Sequence, residues 1–461
     1  MYNNKKFFTF SSTTMNRKNN ILLLTDSYKV SHYKQYPPET STIYSYFESR
    51  GGRFDNVVFF GLQYYLKEYL AGQIVTQETI SDAAFVYEKH FGNPALFNRA
   101  GWEYILQRHN GRLPVRIRAV PEGSAIATHN VMMTIENTDP QCYWLTNFLE
   151  TLLVQTWYGS TVATLSREIK KVILRYLEET GDTALIDFKL HDFGFRGVSS
   201  VESAGIGGAA HLVNFMGTDT VQALTFIQDF YNTQQCYGFS IPAAEHSTIT
   251  SWGRENEAKA YANMLSQYPE GLVACVSDSY DIYAACDQIW GQQLHDAVLN
   301  RKGTLVVRPD SGKPSEVVLK VLEILGNRFG TSQNAKGFKV LHPNVRVIQG
   351  DGVDYDSIGE ILSVLKQHHW SADNIAFGMG GALLQKLDRD TQKFAFKCSA
   401  AVVGGVERDV FKQPITDSGK NSKRGRLKLV HTPEGGFTTV GADSDAADVL
   451  QTVLENGYLT K

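Results

Sequence analysis

Apolar and polar positions divide the chain into distinct textures. Residues 1–20 are polar, rich in Asn, Ser and Thr, and carry only basic charges. They read as a disordered tail, because the apolar piece Phe7–Phe10 is too short for a signal-peptide core. From Ile21 to Asp182 two periodicities alternate. Ser41–Glu48, Pro114–Ala119 and Val131–Glu136 read as strands, whereas Leu62–Leu70, Glu78–Phe91, Tyr143–Gln155 and Thr164–Glu178 space their apolar residues as helices do. ILLLTDSYKVSHYKQYPP reads as a strand or loop entering a helix, with Asp26 or Ser27 as cap and Pro37-Pro38 as its end. The mixture predicts an α+β domain.

After Asp182 the pattern changes. Short apolar runs recur at Ala184–Leu190, near Thr218, and at Phe239–Pro242, Leu272–Val276, Thr304–Val307, Val345–Ile348 and Ile375–Phe377. Helical stretches such as Glu255–Leu265, Val317–Leu325 and Ser357–Leu365 separate several of them. Strands alternating with helices in this way predict an α/β barrel. Most runs end in a polar cluster: His191-Asp192, Glu245-His246, Ser277-Asp278, Arg308-Pro309-Asp310, Gly350-Asp351 and Gly378–Gly381. Chemistry gathered at strand ends predicts one shared ligand site at the C-terminal edge of a parallel sheet. The densest stretch is Lys189–Asp219, where a strand runs into His191, Asp192, Phe193 and Arg196, then into a Gly/Ala/Ser-rich helix over Ser199–His211. Beyond Arg389 short β-like runs return at Phe394–Val403 and Leu427–His431, with a basic loop, Lys412–Lys428, between them.

Composition narrows the class. The chain has 461 residues, 43% hydrophobic and 20% charged, with a formal net charge of −3, which describes a globular protein with room for two domains. With no sustained basic stripe it is not a nucleic-acid platform, and no apolar run reaches the ~20 residues that span a bilayer. The cysteines Cys142, Cys236, Cys275, Cys286 and Cys398 are scattered and show no CxxC spacing, so a disulfide framework or zinc site is not expected and a reducing, cytoplasmic location is.

HDFGFRG, the GTDT at Gly217–Thr220 and the downstream PAAEHS, SDSYD, RPDSG and GDG resemble, in order, the nicotinamide phosphoribosyltransferase family, a type II phosphoribosyltransferase group. The resemblance runs from about Leu22 into the C-terminal region. It implies an irregular α/β barrel inserted into an α+β domain formed by the N- and C-terminal parts of the chain. In this sequence that means 21–182 plus 390–461 for the α+β domain and 183–389 for the barrel. It also implies transfer of a phosphoribosyl group from phosphoribosyl pyrophosphate to nicotinamide in NAD salvage, a homodimer with shared active sites, ATP as a coupling substrate, and Mg²⁺ carried mainly on substrate phosphates rather than in a protein cage.

Individual residues take roles by the same resemblance. Phe193 and Tyr28 match the two rings that sandwich nicotinamide, Tyr28 reaching the site from the partner subunit. Asp219 matches the acid that accepts the carboxamide N–H, and Arg308 lines the same region. Arg196 and Arg308 match pyrophosphate-binding positions; Arg50, Arg389, Lys397, Lys412 and Lys420 match basic residues gathered around the phosphates across the dimer interface. Asp310 and Asp351 fit acids that hold the ribose hydroxyls, and Gly350 permits close backbone approach. Gly380 and Gly381 precede a helix, where N–H groups can cradle the 5′-phosphate, although Met379 and Ala382 depart from the family's usual residues. His246 matches a histidine phosphorylated from ATP, with Asp278 holding its ring nitrogen. The competing readings are a nicotinate phosphoribosyltransferase, against which Asp219 speaks, an unrelated sugar-phosphate barrel enzyme, and a non-catalytic signalling or scaffold protein on the same fold.

Overall fold

The computed structural model describes residues 19–416 and 421–460. Its first layer is an antiparallel sheet in which strands Phe394–Val403, Thr40–Ser49, Val131–Asn137, Val115–Ala119 and Gln451–Glu455 lie side by side in that order. Val406–Asp409 and Tyr458–Leu459 extend its two edges. Val115, Ile117 and Ala119 are buried while Arg116 and Arg118 reach outward to Glu136, Glu455 and Asp448. That period of two is what a sheet covered on one face requires. Thr40–Ser49 pairs along its length with Phe394–Val403, so early and late parts of the chain build one sheet and the barrel is inserted between them.

The 25-residue helix Thr156–Thr180 joins the two units. Its buried stripe includes Val162, Ile169, Ile173 and Leu177, spaced to stay on one side of a helix. It packs on the short strand Asn56–Val58 and also on the barrel helices Val201–His211 and Tyr355–Gln367.

The barrel sheet is parallel, in the order Gly217–Thr218, Leu190–Asp192, Ile375–Met379, Val345–Gln349, Lys302–Arg308, Glu270–Val276. It curls, and the segment from Phe239 to Ala244 links its edges: Phe239 bridges to Gly217 and Ala243 to Ala274. Ala274, Val306 and Ile348 face inward with Phe193, Ile241 and Ala376. Their neighbours Val273, Cys275, Leu305, Val307, Val347 and Phe377 face the surrounding helices. Both faces are apolar, as a helix-covered parallel sheet demands.

Three runs differ from expectation: Phe239–Pro242 makes only isolated bridging contacts, Tyr143–Gln155 breaks into the short helices Leu145–Phe148 and Glu150–Leu153, and the third is the entry to the barrel. Ala184–Leu190 is not a buried strand: residues Thr183–Phe188 form a 3-10 turn, and only Leu190–Asp192 pairs in the sheet. The Asp182 carboxylate accepts from the Ala184 N–H and starts the turn, and Leu185 and Phe188 remain exposed. Lys189 then anchors the entry to the barrel, its buried ammonium donating to the carbonyls of Ala372, Asp373 and Ile375. An apolar run of this length is compatible with either conformation, and the cap and the anchor decide it. Among the described residues no helix is long and apolar enough to cross a membrane.

Candidate active site

The C-terminal ends of the barrel strands open onto a cavity of about 790 Å³. Phe193, Arg196, Asp219, Arg308, Asp310, Gly350, Asp351, Gly380 and Gly381 all line it, so residues spread over nearly two hundred positions converge. A second cavity of about 470 Å³ lies across Ser199 and Ser200, between Tyr158 and Leu384, and holds none of the expected residues.

Phe193 continues the Leu190–Asp192 strand, its N–H donating to the Met379 carbonyl at 3.0 Å. Its ring lies against Gly378, where a Cβ would fall 1.9 Å from the ring. The guanidinium of Arg308 sits 5.2 Å from the ring centroid. The glycine therefore makes the space in which the aromatic wall stands. Gly378→Ala is expected to push the Phe193 ring out of place. The KM for the flat substrate should then rise roughly tenfold, the order of one lost stacking contact, with kcat much less affected. An unchanged KM would mean that the ring is not a substrate wall.

Asp192 is structural: its two carboxylate oxygens accept from the Gly194 N–H and the Thr218 hydroxyl, which pins the turn between two strands. Asp219 follows Thr218, and its own N–H donates to the Asp192 carbonyl. Its Oδ1 accepts from the Ser240 hydroxyl and lies 2.9 Å from His191 Nε2. Burial works to raise the Asp219 carboxyl, but the His191 contact, the Ser240 hydroxyl and the charge of Arg308 outweigh it and hold the group below the usual carboxylate range. A lowered pKa keeps the group charged at and somewhat below the pH at which an ordinary aspartate protonates, so Asp219 is an anion at neutral pH.

A second cluster sits at the ends of the neighbouring strands. Arg308 donates through Nε and Nη2 to Asp310 Oδ1, at 3.2 and 2.8 Å. A Cβ on Gly350 would lie 3.1 Å from Arg308 Nε, so the close approach expected there is to this arginine. Asp278 accepts at Oδ2 from the Asp310 N–H and the Ser311 hydroxyl, while among the described residues no hydrogen bond falls on its buried Oδ1. That oxygen faces His246 Nε2 at 3.5 Å, and Asp310 Oδ2 faces the same nitrogen at 3.6 Å. His246 Nδ1 lies 3.1 Å from the Ser279 hydroxyl. Its side chain is about half exposed, at 47%, against 4% for Asp278. An imidazole open to solvent on one side and facing two carboxylates on the other is arranged for chemistry at the open nitrogen.

Gly380 and Gly381 stand at the start of the short helix Gly381–Leu384, and a Cβ on Gly381 would meet nothing within 4 Å. Arg196 lies exposed in the turn Phe195–Gly197 at the rim.

The remaining expected residues gather elsewhere. Lys397 is on the α+β sheet, its ammonium pushed below the usual range by burial and by the charges of Arg50, Lys412 and Arg389, with Glu150 opposing. Arg50 Nε and Nη1 are buried, and among the described residues no hydrogen-bond partner meets them. Tyr28 is 59% exposed on the turn Ser27–Lys34, beside Lys29, which is ion-paired to the same Glu150 at 2.7 Å. Neither Tyr28 nor these cations line the barrel cavity. Lys420 lies outside the described residues.

His191, Ser240 and Ser279 are site residues that sequence reasoning did not assign. His191 had a signal: in the HDF triplet it and Phe193 are two apart and so share a strand face. His109, Asp139 and Cys142 form a group of metal-ligand type on the α+β domain, where the Tyr104 hydroxyl already donates to Asp139.

Comparison with known proteins agrees with this geometry. Residues 188–458 match the nicotinate phosphoribosyltransferase family, and residues 20–117 match the nicotinamide phosphoribosyltransferase N-terminal domain. The nicotinamide phosphoribosyltransferase of Xanthomonas campestris pv. campestris is 52% identical over 97% of both chains. That of Acinetobacter baylyi is 33% identical over 94% of this chain and 93% of its own. Among solved structures, the nicotinate-nucleotide pyrophosphorylase of Pyrococcus furiosus shares the fold at a TM-score of 0.61 and 16% identity, covering 98% of this chain and 94% of that one. Human nicotinic acid phosphoribosyltransferase does so at 0.53 and 16%, covering 95% and 90%. With residues 20–117 and 188–458 both matched, and a relative 52% identical over nearly the whole chain, the chain belongs to the nicotinate phosphoribosyltransferase family.

Proposed function

We propose that this enzyme is a pentosyltransferase that joins nicotinamide to phosphoribosyl pyrophosphate, releasing nicotinamide mononucleotide and pyrophosphate. The observation that carries the choice of base is Asp219. It is an anion beside the Phe193 wall, so it can accept from a carboxamide N–H and repels the carboxylate of nicotinate. The names of the relatives that match nearly the whole chain support the same reading.

The chemistry follows from the lining. The pyridine nitrogen lone pair attacks C1′ as the C1′–O bond to pyrophosphate breaks, and the electrons of that bond leave with pyrophosphate. No proton has to be removed from the base. Asp310 and Asp351 hold the ribose hydroxyls and face the positive charge that develops on the sugar. Arg196 and Arg308 receive the leaving anion. Asp310, which already accepts from Arg308, and Asp351 would hold a magnesium ion shared with substrate oxygens rather than one caged by protein. When bound, it neutralises charge on pyrophosphate.

Two further parts complete the reading. ATP is coupled through phosphorylation of His246. A homodimer brings Tyr28 and the Arg50–Lys397–Lys412 cluster of one subunit to the barrel mouth of the other. Unpaired buried nitrogens on Arg50 and mutual repulsion around Lys397 describe a cation cluster in need of an anion, which supports a phosphate site there. A cytoplasmic location belongs to the same reading, supported by five free cysteines, of which Cys142, Cys275 and Cys286 are buried.

The deciding experiment supplies phosphoribosyl pyrophosphate with nicotinamide or nicotinate and measures each mononucleotide. Preference for the amide by about a hundredfold or more in kcat/KM is expected, the order of a few kcal/mol of discrimination. Asp219→Asn should remove most of it by relieving repulsion of the acid. Equal use of nicotinate by the unaltered enzyme would reject the assignment.

A further inference from the structure

Asp219 does not act alone. Both of its side-chain partners, the Ser240 hydroxyl and His191, engage the same oxygen, Oδ1. Among the described residues no hydrogen bond falls on Oδ2, which is left to accept from a ligand. The His191 ring is held where it is by the sheet. In the parallel ladder His191 lies between Gly217 and Gly378. A Cβ at Gly217 would fall 2.7 Å from His191 Nδ1, and one at Gly378 would fall inside the Phe193 ring contact. The two glycines leave room for two rings, His191 and Phe193, with centroids 5.2 Å apart on the same strand face. Nε2 is thereby aimed at Asp219.

From this arrangement we infer that His191 is a positioning residue that sets base specificity, its protonation state deciding how strongly a carboxylate substrate is refused. The inference rests on the nicotinamide reading of the site. A neutral His191 donates Nε2–H to Asp219 and leaves the pair with one net negative charge. A protonated His191 makes the pair neutral. That single charge is also the difference between nicotinate and nicotinamide, so the two effects act on the same quantity.

The other charged groups around His191 do not mimic this. Asp219 is held ionised, as described above, and Arg308, which also acts on it, is tied to Asp310. Asp192, on the opposite strand face, has both oxygens engaged. His211, on the helix behind, is buried between the Ser166 hydroxyl and the Gly217 carbonyl, and burial pushes it down to about 4, so it stays neutral. Among the described residues these neighbours are tied or neutral, so the net charge beside the base is set at the His191–Asp219 contact.

The test is the ratio of kcat/KM for nicotinamide to that for nicotinate, without ATP, at about pH 8 and about pH 6, where nicotinate remains an anion. Both bases share phosphoribosyl pyrophosphate and His246, so pH effects on those cancel in the ratio. In the unaltered enzyme the ratio should fall roughly tenfold or more on acidification. His191→Gln, which can still donate to Asp219 but cannot charge, should keep a preference for the amide that no longer varies with pH. Asp219→Asn should show a low and flat ratio. A pH-independent ratio in the unaltered enzyme overturns the inference and leaves the nicotinamide reading standing, as does a His191→Gln ratio that titrates like the parent. Failure to use either base at any pH overturns both. The parent profile needs no variant, so a poorly folding His191→Gln protein would not remove the test.

Discussion

His246→Ala is expected to bring the ratio of rates with and without ATP down to about one, while some ATP-independent synthesis persists. The geometry around the ring motivates this. Nε2 faces Asp278 at 3.5 Å and Asp310 at 3.6 Å, while Nδ1 lies 3.1 Å from the Ser279 hydroxyl. On the proposed reading, two carboxylates hold a proton on Nε2, and the Nδ1 lone pair, once it gives up the Ser279 hydroxyl, attacks the γ-phosphorus of ATP. The P–O bond to ADP breaks as the P–N bond forms, and the carboxylates steady the charge the ring acquires. Among the described residues no hydrogen bond falls on the buried Asp278 Oδ1, which faces Nε2 at 3.5 Å and is placed for this use. Asp278→Asn should cut the stimulation strongly, because the amide can hold the ring but cannot balance its charge. Phosphate should be trapped as an acid-labile adduct in the parent and be absent from His246→Ala. An adduct of equal yield on the variant would place the phosphoenzyme on another residue.

Much of the barrel was legible because a parallel sheet buried on both faces writes itself as short apolar runs, and its working edge as polar residues just after them. That rule placed His246, Asp278, Asp310 and Asp351 in strand-end polar clusters, the resemblance supplied their expected roles, and the cavity brings Asp310 and Asp351 together with Phe193 and Asp219. The rule failed where a cap outweighed the run. Asp182 and Lys189 turn the stretch before Leu190 into a 3-10 turn, and hydropathy does not register a side-chain hydrogen bond to the backbone. It was also blind to pairings across strands. Ser240 reaches Asp219 only because the segment from Phe239 to Ala244 joins two sheet edges, which no local spacing encodes. The helix Glu78–Phe91 and the strand Ser41–Glu48 were read nearly to their ends, since amphipathic periodicity with a cap is a local property. Tyr28 and the cations near Lys397 are the opposite case. Nothing in the sequence on either side of them points to a base or a phosphate, and the single chain leaves them away from the cavity they are expected to complete.

That separation leads to the prediction with the largest effect. Mixing two nearly inactive variants, Tyr28→Ala and Asp219→Ala, should restore activity. Within one chain Phe193, Asp219 and Arg308 line the barrel cavity, while Tyr28 stands exposed on the other domain near Lys29 and Glu150. On the proposed dimeric reading the exposed Tyr28 ring and the cations around Lys397, which have Glu150 as a common neighbour, are one half of a site, and the barrel mouth, with one aromatic wall and an anion, is the other. A C₂ dimer can complete both with one self-complementary surface. In a mixed dimer, one site then takes the altered Tyr28 from one subunit and the altered Asp219 from the other and carries both defects. The second site takes the unaltered copy of each and is intact. About half of the heterodimer's sites should therefore work, or roughly a quarter of all sites after free exchange of equal amounts, against almost none in either variant alone. The gain is read as nicotinamide mononucleotide formed after mixing and subunit exchange, with exchange followed independently by fluorescence transfer between labelled subunits. Exchange without recovery would show that each chain completes its own site, and the cations around Lys397 would then need another anion to explain them.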